Sequence, residues 1–337
     1  MGARREGAGG PDGEVRILPF LGRADEARAE VWLRCEGPPC ADGIDGADGI
    51  VVTGSLTGPH CTVASTLPTA VPLVDQGAAG GRPPLARAVC TEPAFWTPDV
   101  PHLYRADVEL SRGGRVVAAG SRSIGLRRCG MRGGALWLDG RRYVPRGVRF
   151  RGTKESIEAL RGLAAVALVD AVHVSETLLA AADRLGVGVV VHAGPGIPPS
   201  AIPSLVDDCA AHPSVLVMVL PDAAGLGRDA LARALERRRG TMLLGQAVDG
   251  LLAPRAILPG IDLAVVTLPS GAVPHPGWRG ATGVPRVALE AFPNDATPEI
   301  LRQACDRLQA RLAAWAAEGG PPRPADWAGY FVDSGPS

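Results

Sequence analysis

Carboxylate and imidazole side chains follow apolar runs at several points of this 337-residue sequence. Asp222 comes after the apolar run 215–220 and one proline, and Glu290 follows the apolar residues 287–289. Carboxylates and imidazoles can transfer protons in catalysis, and a carboxylate can also attack an electrophilic carbon. Three other titratable residues near the ends of apolar runs are candidates for the same chemistry: His173, Glu176 and His192.

The sequence predicts neither a metal site nor a cofactor. His173, Glu176 and His192 could ligate zinc, but their spacing matches no zinc-ligand pattern. The Asp-Gly pairs between Gly37 and Gly49 lack the spacing and the distal glutamate of a calcium-binding loop. The seven cysteines also lack metal spacing and are typical of reduced thiols.

The pattern of apolar and turn residues changes near residue 130, which predicts two domains. Residues 1–13 are predicted to be a disordered tail before the first domain. Between residues 14 and 127, short β-rich runs alternate with turn residues, a pattern typical of a β-sandwich. From residue 128 to 337, strand-like runs alternate with helical patterns, which favours an α/β architecture. The clearest helix is predicted from Pro298 to Trp315. Eight candidate strands permit a closed barrel: 144–150, 165–174, 187–192, 215–220, 242–247, 263–268, 286–291 and 329–332.

Charge and hydropathy exclude several classes of partner. The chain has 35 basic and 35 acidic residues, so no net field favours nucleic acid or an anionic membrane. Its first residues contain charge and glycine but no apolar core of a signal peptide, and no run is apolar enough to span a membrane. We therefore expect a cytoplasmic protein that binds neither nucleic acid nor membranes, with its oligomeric state left open.

Several segments resemble motifs of one enzyme family. The segment 212–222, HPSVLVMVLPD, resembles the acid/base strand H-P-S-[VI]-x-x-W-[ST]-x-G-N-E of glycoside hydrolase family 2. This family includes β-galactosidases, β-glucuronidases and β-mannosidases. The resemblance implies an immunoglobulin-like β-sandwich followed by a reduced (β/α)8 TIM barrel. The other resembling segments follow the family's order: 95–104 (FWTPDVPHLY), 124–127 (IGLR), 136–148 (LWLDGRRYVPRGV) and 285–292 (PRVALEAF).

The resemblance also implies catalytic positions. Retaining glycosidases use two carboxyl groups about 5 to 5.5 Å apart, one as the nucleophile and one as the acid/base. Glu290 matches the nucleophile position, and Ala223 stands where the family has its acid/base glutamate. Asp222 is a candidate displaced acid, although neighbouring strand residues point to opposite faces. We expect Glu290 at the C-terminal mouth of the barrel facing Ala223; the alternative is a carboxylate that only pairs with a nearby arginine.

Other positions differ from the family's pattern as well. The element N-x-V-R-x-S-H appears at 170–176 as DAVHVSE, so His173 replaces its arginine and Glu176 its histidine. The element D-E-A appears as VHA, with His192 at its centre. Sugars stack on aromatic rings, which makes two tryptophans near strand ends further candidates. The predicted substrate-binding residues are His173, Glu176, His192, Trp278 and Trp327.

Three functions are consistent with these residues. The first is a family 2-like pseudoenzyme in which hydrolysis of O-glycosidic bonds is weakened or lost, because Ala223 replaces the acid/base, and carbohydrate binding is retained. The second is an active retaining β-glycosidase with Glu290 as nucleophile and Asp222 as displaced acid. The third is a non-catalytic structural or interaction module. A β-linked sugar or glycoside is the predicted partner for the first two.

Overall fold

The computed structural model describes residues 14–37, 49–77, 83–152, 157–194, 196–221, 227–238, 242–280, 285–293, 296–318 and 327–334. The chain divides into two compact units. The first comprises Met1–His60, Ser65–Ala94 and Leu103–Leu126, and the second comprises Cys61–Ala64, Phe95–His102 and Arg127–Ser337. The segment 1–13, predicted as a tail, lies outside the described residues.

Two antiparallel sheets of four strands each form the described part of the first unit. One sheet contains, in spatial order, β1 (Arg16–Ala24), β2 (Arg28–Glu36), β6 (Leu85–Thr91) and β5 (Val74–Asp75). The other contains, in spatial order, β4 (Thr69–Pro72), β3 (Ile50–His60), β7 (Leu103–Arg112) and β8 (Arg115–Ile124).

Alternation of buried and exposed side chains explains why these strands form a sandwich. Along β7, Tyr104, Ala106, Val108 and Leu110 are buried, whereas the residues between them are more exposed. A period of two places such side chains on one face of a strand, where they pack against a facing sheet. The predicted immunoglobulin-like sandwich is confirmed.

A small antiparallel sheet precedes the barrel in the chain and contains β9 (Cys129–Arg132), β10 (Ala135–Leu138) and β11 (Arg141–Tyr143). Its strands are joined by two-residue turns. In the second turn, Asp139 and Gly140 have φ values of 48° and 75°. Positive φ at both positions is the type I′ geometry, whose twist matches that of the flanking strands.

Eight parallel strands close a barrel within the described part of the second unit. The first and last strands pair through the register Arg146↔Tyr330 to Val148↔Val332. The predicted barrel is therefore confirmed. Its strands are β12 (Arg146–Arg149), β13 (Val166–Asp170), β14 (Val189–His192), β15 (Val215–Leu220), β16 (Leu243–Asp249), β17 (Leu263–Leu268), β18 (Arg286–Phe292) and β19 (Gly329–Ser334).

Helices connect most of the barrel strands. Residues 250–262, all of them described, join β16 to β17 without a helix. Among the described helices, none combines the length and the apolar character needed to cross a membrane. The α-helices are α1 (Ile157–Gly162), α2 (Glu176–Leu185), α3 (Ile202–Ala210), α4 (Arg228–Arg238), α5 (Gly277–Gly280) and α6 (Pro298–Ala317), and short 3-10 helices occupy Ala171–His173 and Pro199–Ala201.

The second barrel strand is shorter than the predicted range 165–174. It ends at Asp170, and the next three residues form a 3-10 helix. Ser175 then caps α2, because its hydroxyl oxygen accepts a hydrogen bond from the N–H of Leu178 at 3.2 Å. An apolar run alone does not reveal where such capping ends a strand.

Side chains of each barrel strand alternate between the helix layer and the barrel interior. One buried hydrophobic cluster contains strand residues together with Leu308 and Leu312 of α6, so these strand residues face the helices. The intervening side chains face the interior, where a Cβ atom on Gly147 would lie 2.5 Å from the ring of Phe331. The interior is therefore a packed core. The helix-facing set includes Val148, Val169, Val191, Ala288 and Val332.

A buried hydrogen-bonded group, here called the Asp183 cluster, holds the start of β15 and consists of Trp96, Asp183, His212 and Ser214. One carboxylate oxygen of Asp183 accepts a hydrogen bond from the backbone N–H of Ser214 at 2.9 Å. The other oxygen lies 2.6 Å from Nδ1 of His212. The backbone carbonyl of Asp183 accepts a hydrogen bond from Nε1 of Trp96 at 2.8 Å. The cluster thereby joins α2, β15 and the Trp96 segment.

Arg127 holds the same stretch of backbone. Its guanidinium donates to the carbonyls of Pro213 and Val215, the latter at 2.7 Å. Burial lowers the pKa of Arg127, while the neighbouring Cys129 and Asp183 act in the opposite direction. A guanidinium removed from water needs such acceptors. The segment that resembles the H-P-S motif therefore has a structural role in this protein.

Replacing Asp183 with alanine should destabilise the barrel by about 2–4 kcal/mol, because the His212 ring and the Ser214 N–H lose a buried acceptor. The matched variant Asp229→Ala removes an exposed carboxylate in α4 and should cost less than about 1 kcal/mol. Urea unfolding monitored by circular dichroism at 222 nm measures this, since the described helices all lie in the second unit. Equal losses in both variants would contradict the assigned role.

Candidate functional site

Charged side chains occupy the interior-facing positions at the C-terminal ends of four adjacent barrel strands. They are Asp333 of β19, Arg149 of β12, Asp170 of β13 and His192 of β14, here called the mouth cluster. Each follows a helix-facing residue in the chain, so alternation directs its side chain to the interior. Reactive groups of barrel enzymes lie at this end of the strands.

Arg149 is the centre of the mouth cluster. Its Nε and Nη2 donate to the two carboxylate oxygens of Asp333 at 2.6 and 2.9 Å, which is a bidentate pair. Its Nη1 lies 2.6 Å from Oδ1 of Asp170. The same Oδ1 lies 3.6 Å from Nδ1 of His192. The Arg149 side chain is only 7% exposed, so both of its edges are occupied by carboxylates in a largely buried position.

The charge state of Asp170 follows from these contacts. Burial favours its neutral form, but the ion pair with Arg149 and the contact with His192 outweigh burial and hold the pKa below its ordinary value of 3.8. The pKa of Arg149 is raised because its two carboxylate partners outweigh the effect of burial. Asp170 is therefore an ionised hydrogen-bond acceptor at neutral pH and is unsuited to donate a proton.

The interior-facing positions near the ends of β16, β17 and β18 differ in character. Thr267 of β17 and Ala291 of β18 are small, and Ala291 pairs in register with Asp333 of β19. Ala247 of β16 is small as well, but Asp249 at the end of β16 pairs in register with Thr267 and therefore lies on the same side of the sheet. The described strand ends thus present ionisable side chains on five strands and small, uncharged ones on β17 and β18.

Glu290 lies near the C-terminal end of β18, and its side chain is on the helix-facing side. It is two residues from Ala288, a member of the helix-facing set, and it is 5% exposed. Its Oε1 accepts hydrogen bonds from the Gly271 N–H at 2.6 Å and from Nη2 of Arg311 in α6 at 2.7 Å. These are the contacts of an arginine-paired carboxylate, the alternative that the sequence leaves open. At this strand end, Ala291 faces the mouth.

The two positions predicted opposite Glu290 are Asp222 and Ala223. Both lie outside the described residues, which stop at Pro221 and resume at Gly227. Their roles as displaced acid and as the position of the lost acid/base stay predictions.

Of the predicted substrate-binding polar residues, the structure brings His192 alone into the mouth cluster. His173 is exposed in the 3-10 helix after β13. Glu176 begins α2, and its Oε2 lies 3.0 Å from Nε2 of His212, beside the Asp183 cluster. Within the described part of the chain, no group of three or more His, Cys, Asp or Glu side chains is arranged to hold a metal.

The two predicted tryptophans are buried rather than displayed. Trp278 is 3% exposed, and its Nε1 donates to the carbonyl of Leu252 at 3.0 Å. Trp327 is 4% exposed, with the guanidinium of Arg286 5.4 Å from the ring centroid. Neither ring offers an open face on which a sugar could stack.

Sequence reasoning missed Arg149, Asp170 and Asp333. Asp170 and Asp333 each end an apolar strand, the same signal that selected Asp222 and Glu290. Asp333 follows the predicted end of the last strand by one residue, and Asp170 lies inside the over-long second strand. Selecting every acidic residue at or next to the end of an apolar run would have found both Asp170 and Asp333.

Three buried cysteines are unsuited to nucleophilic chemistry. Burial raises the thiol pKa to about 12 for Cys35, to about 11 for Cys90 and to about 12 for Cys305. Because the thiolate is the nucleophilic form, these three buried thiols are inert at neutral pH.

An antiparallel sandwich precedes a parallel barrel in this chain, and ionisable residues lie at the C-terminal strand ends of the barrel, where the reactive groups of barrel enzymes lie. Sequence comparisons find a resemblance to one family of glycosidases over part of the chain. The model for the glycosyl hydrolases of family 2 matches residues 60–127. A curated β-galactosidase from Klebsiella pneumoniae (strain 342) is 38% identical over 102 residues, which are 30% of this chain and 10% of that protein. The predicted resemblance to family 2 is confirmed.

Solved structures share the fold. Bacteroides uniformis β-glucuronidase 2, covalently bound to cyclophellitol-6-carboxylate aziridine, is 16% identical with a TM-score of 0.59, and the match covers 96% of this chain and 45% of that one. The apo β-glucuronidase from Ruminococcus gnavus is 14% identical with a TM-score of 0.65, covering 96% and 62%. This chain therefore spans less than two thirds of either structure and one tenth of the curated β-galactosidase.

The pairing of Glu290 with Arg311 predicts a measurable coupling. Glu290→Ala should destabilise the barrel by about 1–3 kcal/mol, since it leaves a mostly buried cation unpaired. The lower end of this range reflects the 27% exposure of the Arg311 side chain, which admits solvent screening. Glu290→Gln should cost less, because an amide oxygen can still accept both hydrogen bonds. A double-mutant cycle with Arg311→Met, followed by urea unfolding, measures the coupling; a coupling of zero would disprove the ion pair.

The lowered pKa of Asp170 predicts an acid-sensitive contribution to stability. A carboxylate whose pKa is depressed by folding stabilises the native state above its unfolded pKa of about 3.9, and this stabilisation is lost as pH falls through the folded value. Asp170→Asn should therefore lower the stability of the protein at pH 7. The variant should also lose less stability than wild type as the pH falls below 4. Unfolding midpoints from pH 2 to pH 7 test this, with the exposed Asp107→Asn as control. If the unfolding midpoints of wild type and Asp170→Asn fell equally as the pH was lowered, the stabilising role of the ionised Asp170 would be contradicted.

Proposed function

We propose that this chain is a family 2-like protein in which hydrolysis of O-glycosidic bonds is weakened or lost and which binds a β-linked sugar at the barrel mouth. The observation that carries the proposal is the position of Glu290. Its carboxylate is held by Arg311 and Gly271 on the helix side, while Ala291 takes the mouth-facing position. Double displacement requires an attacking carboxylate about 5 to 5.5 Å from an acid, with both beside the anomeric carbon.

Retained sugar binding is supported by the polar side chains of the mouth. Asp170 and His192 are 29% and 25% exposed, so both can reach a ligand in the opening. A carboxylate and an imidazole can accept hydrogen bonds from sugar hydroxyls. Thr267 and Ala291, near the ends of β17 and β18, are small and would obstruct a pyranose ring less than large side chains would. A Ruminococcus gnavus β-glucuronidase of the same fold is known in complex with D-glucuronic acid.

The test separates binding from turnover. We would assay wild type, Glu290→Gln and Ala223→Glu on β-galactosides, β-glucuronides and β-mannosides, each with a dinitrophenyl and an alkyl leaving group. Dinitrophenyl release needs little protonation, so it detects a surviving nucleophile even when the acid is missing. Glu290→Gln is preferred to alanine because it removes the nucleophile while keeping an acceptor for Arg311.

We expect no release that depends on Glu290 with any of these substrates, and saturable binding of at least one methyl β-glycoside by calorimetry. Slow dinitrophenyl release that Glu290→Gln abolishes would instead identify Glu290 as a vestigial nucleophile of a weakened enzyme. Rapid release of both leaving groups that Glu290→Gln abolishes would overturn the proposal in favour of the retaining β-glycosidase. A gain on alkyl glycosides in Ala223→Glu would further identify the missing acid as the main defect. Neither binding nor release would overturn the proposal in favour of the structural or interaction module.

A further inference from the structure

The mouth cluster carries more negative than positive charge. One guanidinium, that of Arg149, faces the two carboxylates of Asp170 and Asp333. These three groups alone leave an excess negative charge in the cluster. The lowered pKa of Asp170 keeps its carboxylate ionised across the neutral range.

The positive charge of the cluster is turned away from a ligand. Nε and Nη2 of Arg149 donate hydrogen bonds to Asp333, and Nη1 lies next to the carboxylate of Asp170. The Arg149 side chain is only 7% exposed. A guanidinium recognises a carboxylate by offering two parallel N–H groups from one edge. Both edges of the Arg149 guanidinium already face carboxylates. No pair of parallel N–H groups therefore remains to bind the carboxylate of an anionic sugar.

The most exposed side chain of the cluster, that of Asp170, is an acceptor. Oδ1 of Asp170 contacts Arg149 and His192, whereas Oδ2 has no hydrogen-bond partner in the described part of the chain. Asp170 is also the most exposed member of the cluster, at 29%. Its free oxygen is the group that a ligand in the mouth would meet.

Two further charged side chains lie at the strand ends. One is basic and the other acidic, so their charges cancel in the sum. Arg151 follows β12, and its Nη2 donates to the carbonyl of Ser334 at 3.0 Å. Asp249 ends β16, and its carboxylate accepts a hydrogen bond from the Leu251 N–H at 2.8 Å. The excess negative charge of the mouth cluster therefore sets the sign of the field at the described strand ends.

We propose that Asp170 is a specificity-determining residue that makes the mouth select ammonium-bearing glycosides over neutral ones and exclude uronates. This inference rests on the proposed sugar binding and adds the charge class of the sugar. An ammonium group near Oδ2 of Asp170 gains an ion pair, whereas a uronate carboxylate meets an ionised carboxylate and no available guanidinium. The chain would then differ from the neighbouring β-glucuronidase, which is known with bound D-glucuronic acid.

Three ligands that differ only at C6 provide the test: methyl 6-amino-6-deoxy-β-glucopyranoside, methyl β-glucopyranoside and methyl β-glucuronide, with the galacto series in parallel. Binding to the full chain is measured by calorimetry at pH 7.5 in 20 mM and 500 mM salt. We expect the amino sugar to bind about tenfold or more tightly than the uronate at low salt, with a smaller ratio at high salt.

Asp170→Asn should reduce the ratio of amino-sugar to uronate affinity to near one, whatever its effect on the affinity for the neutral sugar. A merely structural role would instead weaken all three ligands together. Asp107→Asn removes the same charge from an exposed pair in the first unit and should leave the ratio unchanged. The salt dependence of wild type gives an independent reading if Asp170→Asn fails to fold.

Two results would overturn the inference in distinguishable ways. Uronate binding as tight as amino-sugar binding in wild type would disprove charge selection and leave the proposed sugar binding intact. Absence of binding by all three ligands in both sugar series would disprove the proposed sugar binding and this inference with it.

Discussion

Closure of the parallel barrel is the constraint on which the second unit depends. In a closed barrel each strand has one interior side and one helix side, so consecutive residues necessarily face different environments. This places Ala291 at the mouth and Glu290 against α6, where Arg311 and the Gly271 N–H hold its carboxylate. The same alternation directs Arg149 and Asp333 inward beside each other. A shift of one residue along the strand therefore decides whether a carboxylate faces the opening or the helix layer.

The segments that resemble family 2 most closely serve the scaffold. His212 and Ser214 bind the carboxylate of Asp183, whose backbone carbonyl accepts from Trp96, and Arg127 binds the backbone on either side of Ser214. These contacts are buried, where an unmet hydrogen bond is costly. These segments of family resemblance therefore contribute contacts that hold the fold of the second unit.

The charged side chains of the mouth cluster are stabilised by ion pairs. Arg149 can be 7% exposed only because carboxylates meet it on both edges. That arrangement gives a rigid and ionised cluster, which accepts hydrogen bonds well and donates protons poorly. Its composition fits recognition of a polar ligand better than the acid/base exchange that glycoside hydrolysis requires. These properties are the physical basis for proposing binding without efficient hydrolysis at this mouth.

The sequence by itself determined the architecture, because turn chemistry and hydrophobic period are local signals: alternating runs predicted the sandwich, and eight apolar strands predicted the barrel. It also selected His192, which lies at a strand end beside Asp170, while its role in substrate binding stays a prediction. Only the tertiary structure decided which side of each strand faces the opening, and it alone paired Arg149 with Asp333, 184 residues apart. Local sequence cannot encode that choice, since a one-residue change of phase moves a side chain to the opposite face and barrel closure fixes the phase.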